Sequence, residues 1–419
     1  MSMNCLAANE EGLARLSAAS PQWIDIQPAR EAVALDDYSL LHAGPPIEWR
    51  RMCAPMRGAI VANIIFEGWA SSSEEALQLA DSGRIEFAPC HSRNAVGPMT
   101  GVISPSQPLI VVRDATSGML GYSYIGEPAG PQVRMGSFAP ANIERQVWIR
   151  DILAPAFRGA LQKTGPIDLG QMMAQALSMG DEMHMRNAAG SSLLVRALAG
   201  PLAGTVRDRA ALEAILRYMT EGNEQFFLTW AMAAAKSATR AIENLTGCTL
   251  VSAMSRNGVE FGLRVAGLGN RWFTAPASIV EGSYFPGFSQ TDANPDIGDS
   301  AIMETYGLGG MAMAGSPPVL RIVGARSFGH ALEATRRMGE ICAGESTKFA
   351  LGPMDWQGSP TGIDIRRVVE TGIVPNINTA IAHQGFGVGR MIGAGICTPP
   401  IEPFVEAVHA FAQLQEAAA

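Results

Sequence analysis

Met179-Gly180-Asp181-Glu182-Met183-His184-Met185-Arg186-Asn187 is the densest run of chemistry-bearing side chains in the sequence. A helix starting near Asp181, turning by about 100° per residue, would set Asp181, His184 and Asn187 on one face and pair Glu182 with Arg186 on the next. An imidazole beside two carboxylates is built for proton transfer, with Asp181 or Glu182 orienting His184 and with Arg186 and Asn187 available to an anion. The plainer reading makes Asp181 a helix-dipole partner and Glu182–Arg186 a surface pair. Function is favoured, because so much charge is unusual in a chain with only 17% charged residues.

A second cluster, Cys90-His91-Ser92-Arg93-Asn94, follows a strand-like stretch and leads into Val96-Gly97-Pro98-Met99. Strand-to-loop junctions are where α/β proteins bind ligands. Arg93 and Asn94 suit a carboxylate, and His91 could exchange a proton with a reacting nitrogen or oxygen. Cys90 reads as a buried apolar residue on the opposite face. The His91-Ser-Arg93-Asn94 pattern recurs as His184-Met-Arg186-Asn187, and Ser255-Arg256-Asn257 repeats the Arg-Asn pair.

Glu281, Asp292, Asn294, Asp296 and Asp299 gather in one loop-rich region whose carboxylates and amides would suit Mg²⁺ or a substrate amide. Asx-turn chemistry explains part of this composition, and the spacing is not that of an EF-hand. Gly385-Phe386-Gly387-Val388-Gly389-Arg390 offers backbone N–H groups that could cradle an anion, with Gly387 and Gly389 at its centre. No Gly-Lys-Ser/Thr follows, so the stretch does not fit a Walker A nucleotide loop, and a small phosphate-bearing ligand stays open. Without H-E-x-x-H or paired cysteines, no metal site and no bound cofactor are expected, Mg²⁺ being the one ion left open.

These residues need a scaffold. The chain has 419 residues, 47% of them hydrophobic, which predicts two or three domains with substantial cores. Its net charge of -8, from 31 basic and 39 acidic side chains without a basic run, excludes a nucleic-acid or anionic-membrane binder. Lysine occurs only at Lys163, Lys236 and Lys348, so anion binding must depend on guanidinium forks. The six cysteines are scattered, the first residues lack a signal-peptide pattern, and glycine and proline break the uncharged runs. A cytoplasmic protein is expected.

The expected class is α/β in the mixed α+β sense, in three parts. Residues 1–165 read as a Rossmann-like α/β domain. Its helices are expected at Met56–Trp69 and Ser71–Leu79, its strands at Arg84–Ala88 and Leu109–Arg113, and a helix kinked near Pro155 over Ala141–Lys163. Residues 166–245 read as helical, with Arg207–Thr220 followed by a long helix over Glu224–Asn244, capped by Asn223, whose alanine-rich face suits packing on another helix. Residues 246–419 read as α+β, with strands at Thr249–Ala253, Val259–Val265 and Val319–Val323 and helices near Phe328–Gly344 and Pro403–Gln415.

The sequence resembles the AllG (YlbE-like) subunits of oxamate carbamoyltransferase. The resemblance rests on Cys90-His91, Ala95–Met99, Gly101–Pro105, Met179–Glu182 with His184 and Arg186-Asn187, Arg256–Gly262, Tyr284–Gly287, Asp292–Ala301, Gly362–Asp364 and Val368–Ile373. It covers residues from about 40 to 405. One departure is Gln384 after His383, where a lysine is expected. The resemblance implies a cytoplasmic complex of purine (allantoin) or ureide breakdown, with an FdrA-like subunit and a third subunit as partners, and a homodimer is also open. The implied reaction is phosphorolysis of oxalurate to oxamate and carbamoyl phosphate.

That chemistry needs donors for two anions, an oxyanion donor and an acid for the leaving nitrogen. On this reading Arg93, Arg186 and Arg256 hold carboxylate and phosphate, His184 or His91 manages the proton, and Asp181 or Glu182 orients it. Asn94, Asn187, Asn257, Glu281, Asn294, Asp296, Gly387 and Gly389 complete the expected substrate contacts. A non-catalytic scaffold in an FdrA-like complex and an amidohydrolase of a small ureide are the alternatives.

Overall fold

In the computed structural model, which describes residues 5–222, 225–324 and 327–418, every residue of the helix Leu228–Thr239 is buried. The helix lies mainly on the antiparallel strands Pro108–Asp114 and Leu120–Tyr124, and it also packs against helices Ile302–Thr305 and Leu169–Ser178, as its alanine-rich face suggested. Gly121 makes the approach possible, since a Cβ there would sit 2.3 Å from the Ala233 carbonyl oxygen. Above this contact Trp23, Phe157, Phe226 and Trp230 meet edge to face, the geometry that aromatic quadrupoles prefer. The largest apolar cluster runs from Leu16 to Leu351 and draws on all three expected segments.

The mixed α+β class holds, with several small sheets. The N-terminal sheet, in the order Leu120–Tyr124, Pro108–Asp114, Pro21–Pro28, Ile167–Asp168, is antiparallel throughout and so differs from the expected Rossmann-like arrangement. Among the described residues, parallel strand pairing joins Ser39–His42 to Glu86–Pro89, the two strands connected through helices Ala54–Phe66 and Ser73–Asp81, and an isolated parallel bridge links Ala95 to Tyr122. The cause is connection length. A helical crossover permits a parallel pair, whereas the short Ala115–Met119 link forces Pro108–Asp114 and Leu120–Tyr124 into a hairpin.

A second antiparallel sheet runs Ile297–Gly298, Val251–Asn257, Glu260–Val265, Phe273–Pro276; a third runs Glu281–Tyr284, Met391–Cys397, Ile377–Ala382. The expected kink near Pro155 takes the form of a π-helical turn over Ile149–Leu153, between helices Pro140–Trp148 and Ala154–Thr164. Val319–Ile322 is a short helix rather than a strand, its first turn set by Pro317-Pro318. Asn223 and Glu224, the expected cap and start of the long central helix, lie outside the described residues. Among the described residues no helix is long and apolar enough to cross a membrane.

Candidate active site

The segment from Met179 to Asn187 is a tight loop, not the helix expected from Asp181; helix Ala188–Thr205 begins only after it. Glu182 explains why. Its buried carboxylate accepts from the backbone N–H groups of His184 (2.8 Å), Met185 (2.7 Å) and Arg186 (3.2 Å), so the loop closes largely on a side chain rather than on helical backbone bonds. Met183 takes φ +63° to complete the turn. Asp181 accepts from Gly190 N–H at 2.8 Å in the first turn of the following helix and pairs with Arg186 Nη1. Burial pushes both the Asp181 and Glu182 carboxyls up, against the lowering effect of their hydrogen bonds.

His184 is turned inward by this loop, and its Nδ1 lies 2.8 and 3.0 Å from the two oxygens of Glu304. Glu304 is itself fixed, its Oε1 accepting from Gly310 N–H at 2.9 Å and Asn378 N–H at 3.1 Å. Asn378 also donates through Nδ2 to Glu182 Oε1 at 3.0 Å, joining both carboxylates in one network. Only glycine fits at Gly309, because φ is +57° and a Cβ would stand 2.1 Å from Glu304 Oε1. A carboxylate on Nδ1 holds the ring in place and leaves Nε2 as the nitrogen for proton exchange; it has no hydrogen-bond partner among the described residues.

Two further buried networks support the surrounding loops. Arg256 grips Asp296 in a fork of 2.7 and 3.0 Å, and also donates to the Gly298 carbonyl (2.6 Å) and to Thr379 (3.1 Å). Asp299 accepts from Gly44 N–H (3.0 Å), Gly97 N–H (2.9 Å) and the Ser255 hydroxyl, and burial pushes its carboxyl up to about 6. These contacts anchor the Gly97–Met99 turn, Ser300 and Thr379.

Those same elements wall a two-part depression. The outer cleft, about 630 Å³, lies between the Ala129–Met135 loop, Gln225, Phe285, Phe288, Arg390 and Met391. An inner neck of about 20 Å³ is lined by His184, Ser300, Met99, Leu228, Thr379 and Ala380 among others, and it shares Arg134, Met135 and Gln225 with the cleft. Arg134 is aimed by Gln132, which accepts from its Nε at 2.8 Å, and by buried Glu127, which accepts from the backbone N–H groups of Val133 and Arg134. Its terminal nitrogens have no hydrogen-bond partner among the described residues, and exposed Arg390 has no ion pair among them. The cleft thus offers two guanidinium groups above an oriented imidazole, an arrangement suited to binding an anion beside a proton-transfer group.

Of the expected site residues, Asp181, Glu182, His184 and Arg186 are brought together around the loop, and Asn187 leads into the next helix while donating to the His184 carbonyl at 3.3 Å. His184 lines the neck; Arg256 and Asp296 lie beneath it, occupied with each other. His91 is buried 3.6 Å from Asp299, neither ring nitrogen has a hydrogen-bond partner among the described residues, and burial pulls its pKa down. Arg93 is exposed at the end of the Cys90–Arg93 turn, which Asn94 closes with φ +59°. Asn257 holds the turn between two strands, Asn294 bonds its own neighbour's carbonyl, and Glu281 is exposed on an edge strand. Gly387 and Gly389 back onto Phe138 and Ser137 beside Arg390. Of the acids expected to suit Mg²⁺, Asp292 caps its own turn through Ser289, and among the described residues no group of three or more His, Cys, Asp or Glu side chains is arranged to hold a metal.

Sequence reasoning missed Glu304, Arg134, Gln225 and Asn378. Glu304 follows the distinctive Asp292–Ala301 block by three residues, and Arg134 sits in a glycine- and proline-rich loop, so both had a positional signal.

A family profile described as oxamate carbamoyltransferase subunit AllG matches residues 85–300. Across 97% of both chains, the protein is 44% identical to the oxamate carbamoyltransferase subunit AllG of Escherichia coli K12. The chain belongs to the AllG family. A further relative is the E. coli K12 uncharacterized protein YahG, 42% identical over 96% of this chain and 85% of its own length. The AllG-family fold also matches the crystal structure of a conserved protein of unknown function from Enterococcus faecalis V583, with a TM-score of 0.95, 41% identity and 98% coverage of each chain.

Proposed function

We propose that this chain is a subunit of a carbamoyltransferase complex that interconverts oxalurate plus phosphate with oxamate plus carbamoyl phosphate. Full-length identity to an oxamate carbamoyltransferase subunit supports this reading. The observation that carries it to chemistry is the His184–Glu304 pair at the base of an arginine-bearing cleft. A phosphate oxygen attacks the ureido carbonyl carbon, the bond from that carbon to the oxamate nitrogen breaks, and the nitrogen takes a proton. His184 Nε2 delivers that proton, and in the reverse direction it accepts one as the oxamate nitrogen attacks carbamoyl phosphate. Arg134 and Arg390 replace Arg93, Arg186 and Arg256 as the holders of carboxylate and phosphate, because they are the arginines that line the cleft.

Asp181 and Glu182 act as supports for the loop rather than as proton carriers, since backbone N–H groups occupy their oxygens. An FdrA-like subunit and a third subunit are the proposed partners, in the cytoplasm. The test is phosphate release from carbamoyl phosphate by tagged protein recovered from its native cells with its partners attached. Release that requires oxamate supports the reading; release that ignores oxamate, or none with partners present, overturns it.

A further inference from the structure

The cleft and the neck differ in volume by more than an order of magnitude, and the neck is the part that reaches His184. One water needs about 10–15 Å³ by this measure, so about 20 Å³ admits a single small group. Met99, Met135 and Leu228, each no more than 5% exposed, form apolar walls. They cannot retreat easily. The turn carrying Met99 is tied to Asp299 through Gly97, and the turn carrying Met135 is tied to Glu127 through the N–H groups of Val133 and Arg134 at 2.8 and 2.9 Å. Among these walls the Ser300 hydroxyl, on a residue only 3% exposed, has no hydrogen-bond partner among the described residues. A hydroxyl on a cavity wall without a protein partner is free to hydrogen-bond a ligand or a water.

We infer that the neck is a subsite for the unsubstituted amino end of a primary carbamoyl group, with Ser300 as its hydrogen-bond partner and Met99, Met135 and Leu228 as a size filter against N-alkylation. This rests on the carbamoyl-transfer reading and sharpens it: the anionic end of the substrate stays in the cleft at Arg134 and Arg390, and only the –NH₂ end passes inward. A methyl on that nitrogen would need a volume that the neck does not have, and a crowded pocket discriminates by about 10- to 200-fold for one such group. Met135→Ala opens one wall and should recover about tenfold of that loss, since it removes three heavy atoms and so more than makes room for the one added methyl.

The experiment compares oxalurate with its N-methylcarbamoyl analogue on the intact complex, by calorimetric binding and by phosphorolysis kcat/KM. Oxalurate should be preferred by about 10- to 200-fold in wild type. Met135→Ala or Leu228→Ala should narrow that gap, and Ser300→Ala should weaken oxalurate without narrowing it. Equal handling of both ureides by wild type, with oxalurate turned over, would overturn the size filter and leave carbamoyl transfer intact. Failure to bind or cleave either ureide would overturn both.

Discussion

His184 and Glu304 stand 120 positions apart in sequence, yet Nδ1 lies 2.8 Å from one carboxylate oxygen and 3.0 Å from the other. Glu304 accepts there while also receiving the N–H groups of Gly310 and Asn378. A glutamine could not present two acceptors to the same donors. Glu304→Gln should therefore lower kcat of the complex by about 10²- to 10⁴-fold, the usual range for losing an oriented acid–base group, while KM changes little. Steady-state kinetics of the complex carrying the variant check this, with kcat falling and KM nearly unchanged.

The two cleft arginines should behave differently. Arg134 is 7% exposed and aimed by Gln132, so Arg134→Met should weaken binding of inorganic phosphate or carbamoyl phosphate by about 10- to 100-fold, as expected for a lost charge-assisted hydrogen bond. Arg390 is exposed, so Arg390→Met should cost only a few-fold, and that cost should vanish at high salt. Calorimetric titration at low and high ionic strength separates the two.

How much of this was legible varies from residue to residue. The chemistry-bearing loop at Asp181–Asn187 stood out because dense charge is rare in this composition. Its conformation did not, because helical spacing fits the same residues and the competing Glu182-to-backbone bonds have no periodic signature. Glu304 lies just beyond the distinctive Asp292–Ala301 block, but nothing local marks it as the partner of His184, 120 positions away. Arginine as the anion holder was legible from the scarcity of lysine, but which arginine was not. Asp296 neutralises Arg256 from 40 positions away, a long-range fact, and Arg186 pairs with Asp181 five residues away rather than with the Glu182 that helical spacing suggested. In the fold, single helices and strands were read well, whereas the antiparallel N-terminal sheet was missed because its central strand, Pro21–Pro28, was not recognised.

Glu182 should matter for stability more than for catalysis. Glu182→Ala would strip the acceptor from three backbone N–H groups and from the Asn378 amide, all buried except the half-buried Arg186 N–H. Each orphaned donor costs about 1–3 kcal/mol before relaxation, so a loss of about 3 kcal/mol or more in unfolding free energy is expected. Urea denaturation of wild type and variant measures it.

Asp299 gives a pH signature. Burial raises its carboxyl from 3.8 to about 6, so between those values the unfolded chain has released the proton and the folded chain keeps it. Its stabilising contribution is full at low pH and is lost as pH rises through about 6, a change of about 3 kcal/mol. Buried His42, pulled down to about 4, works in the opposite sense, as does His91, while Asp181 and Glu182 add to the Asp299 trend, so the whole-protein profile mixes these groups. Comparing Asp299→Asn with wild type isolates the effect: from pH 4 to pH 7 the variant should gain on wild type by about that amount in denaturant titrations.

The most direct measurement is oxamate-dependent phosphate release from carbamoyl phosphate by the reassembled complex carrying His184→Gln in this subunit. The expected result is a fall of about 10²-fold or more with assembly and carbamoyl phosphate binding retained, which places the proton-transfer group in this chain. Wild-type release rates from the His184→Gln complex would contradict that, and would mean that this chain supports a site whose chemistry lies in another subunit.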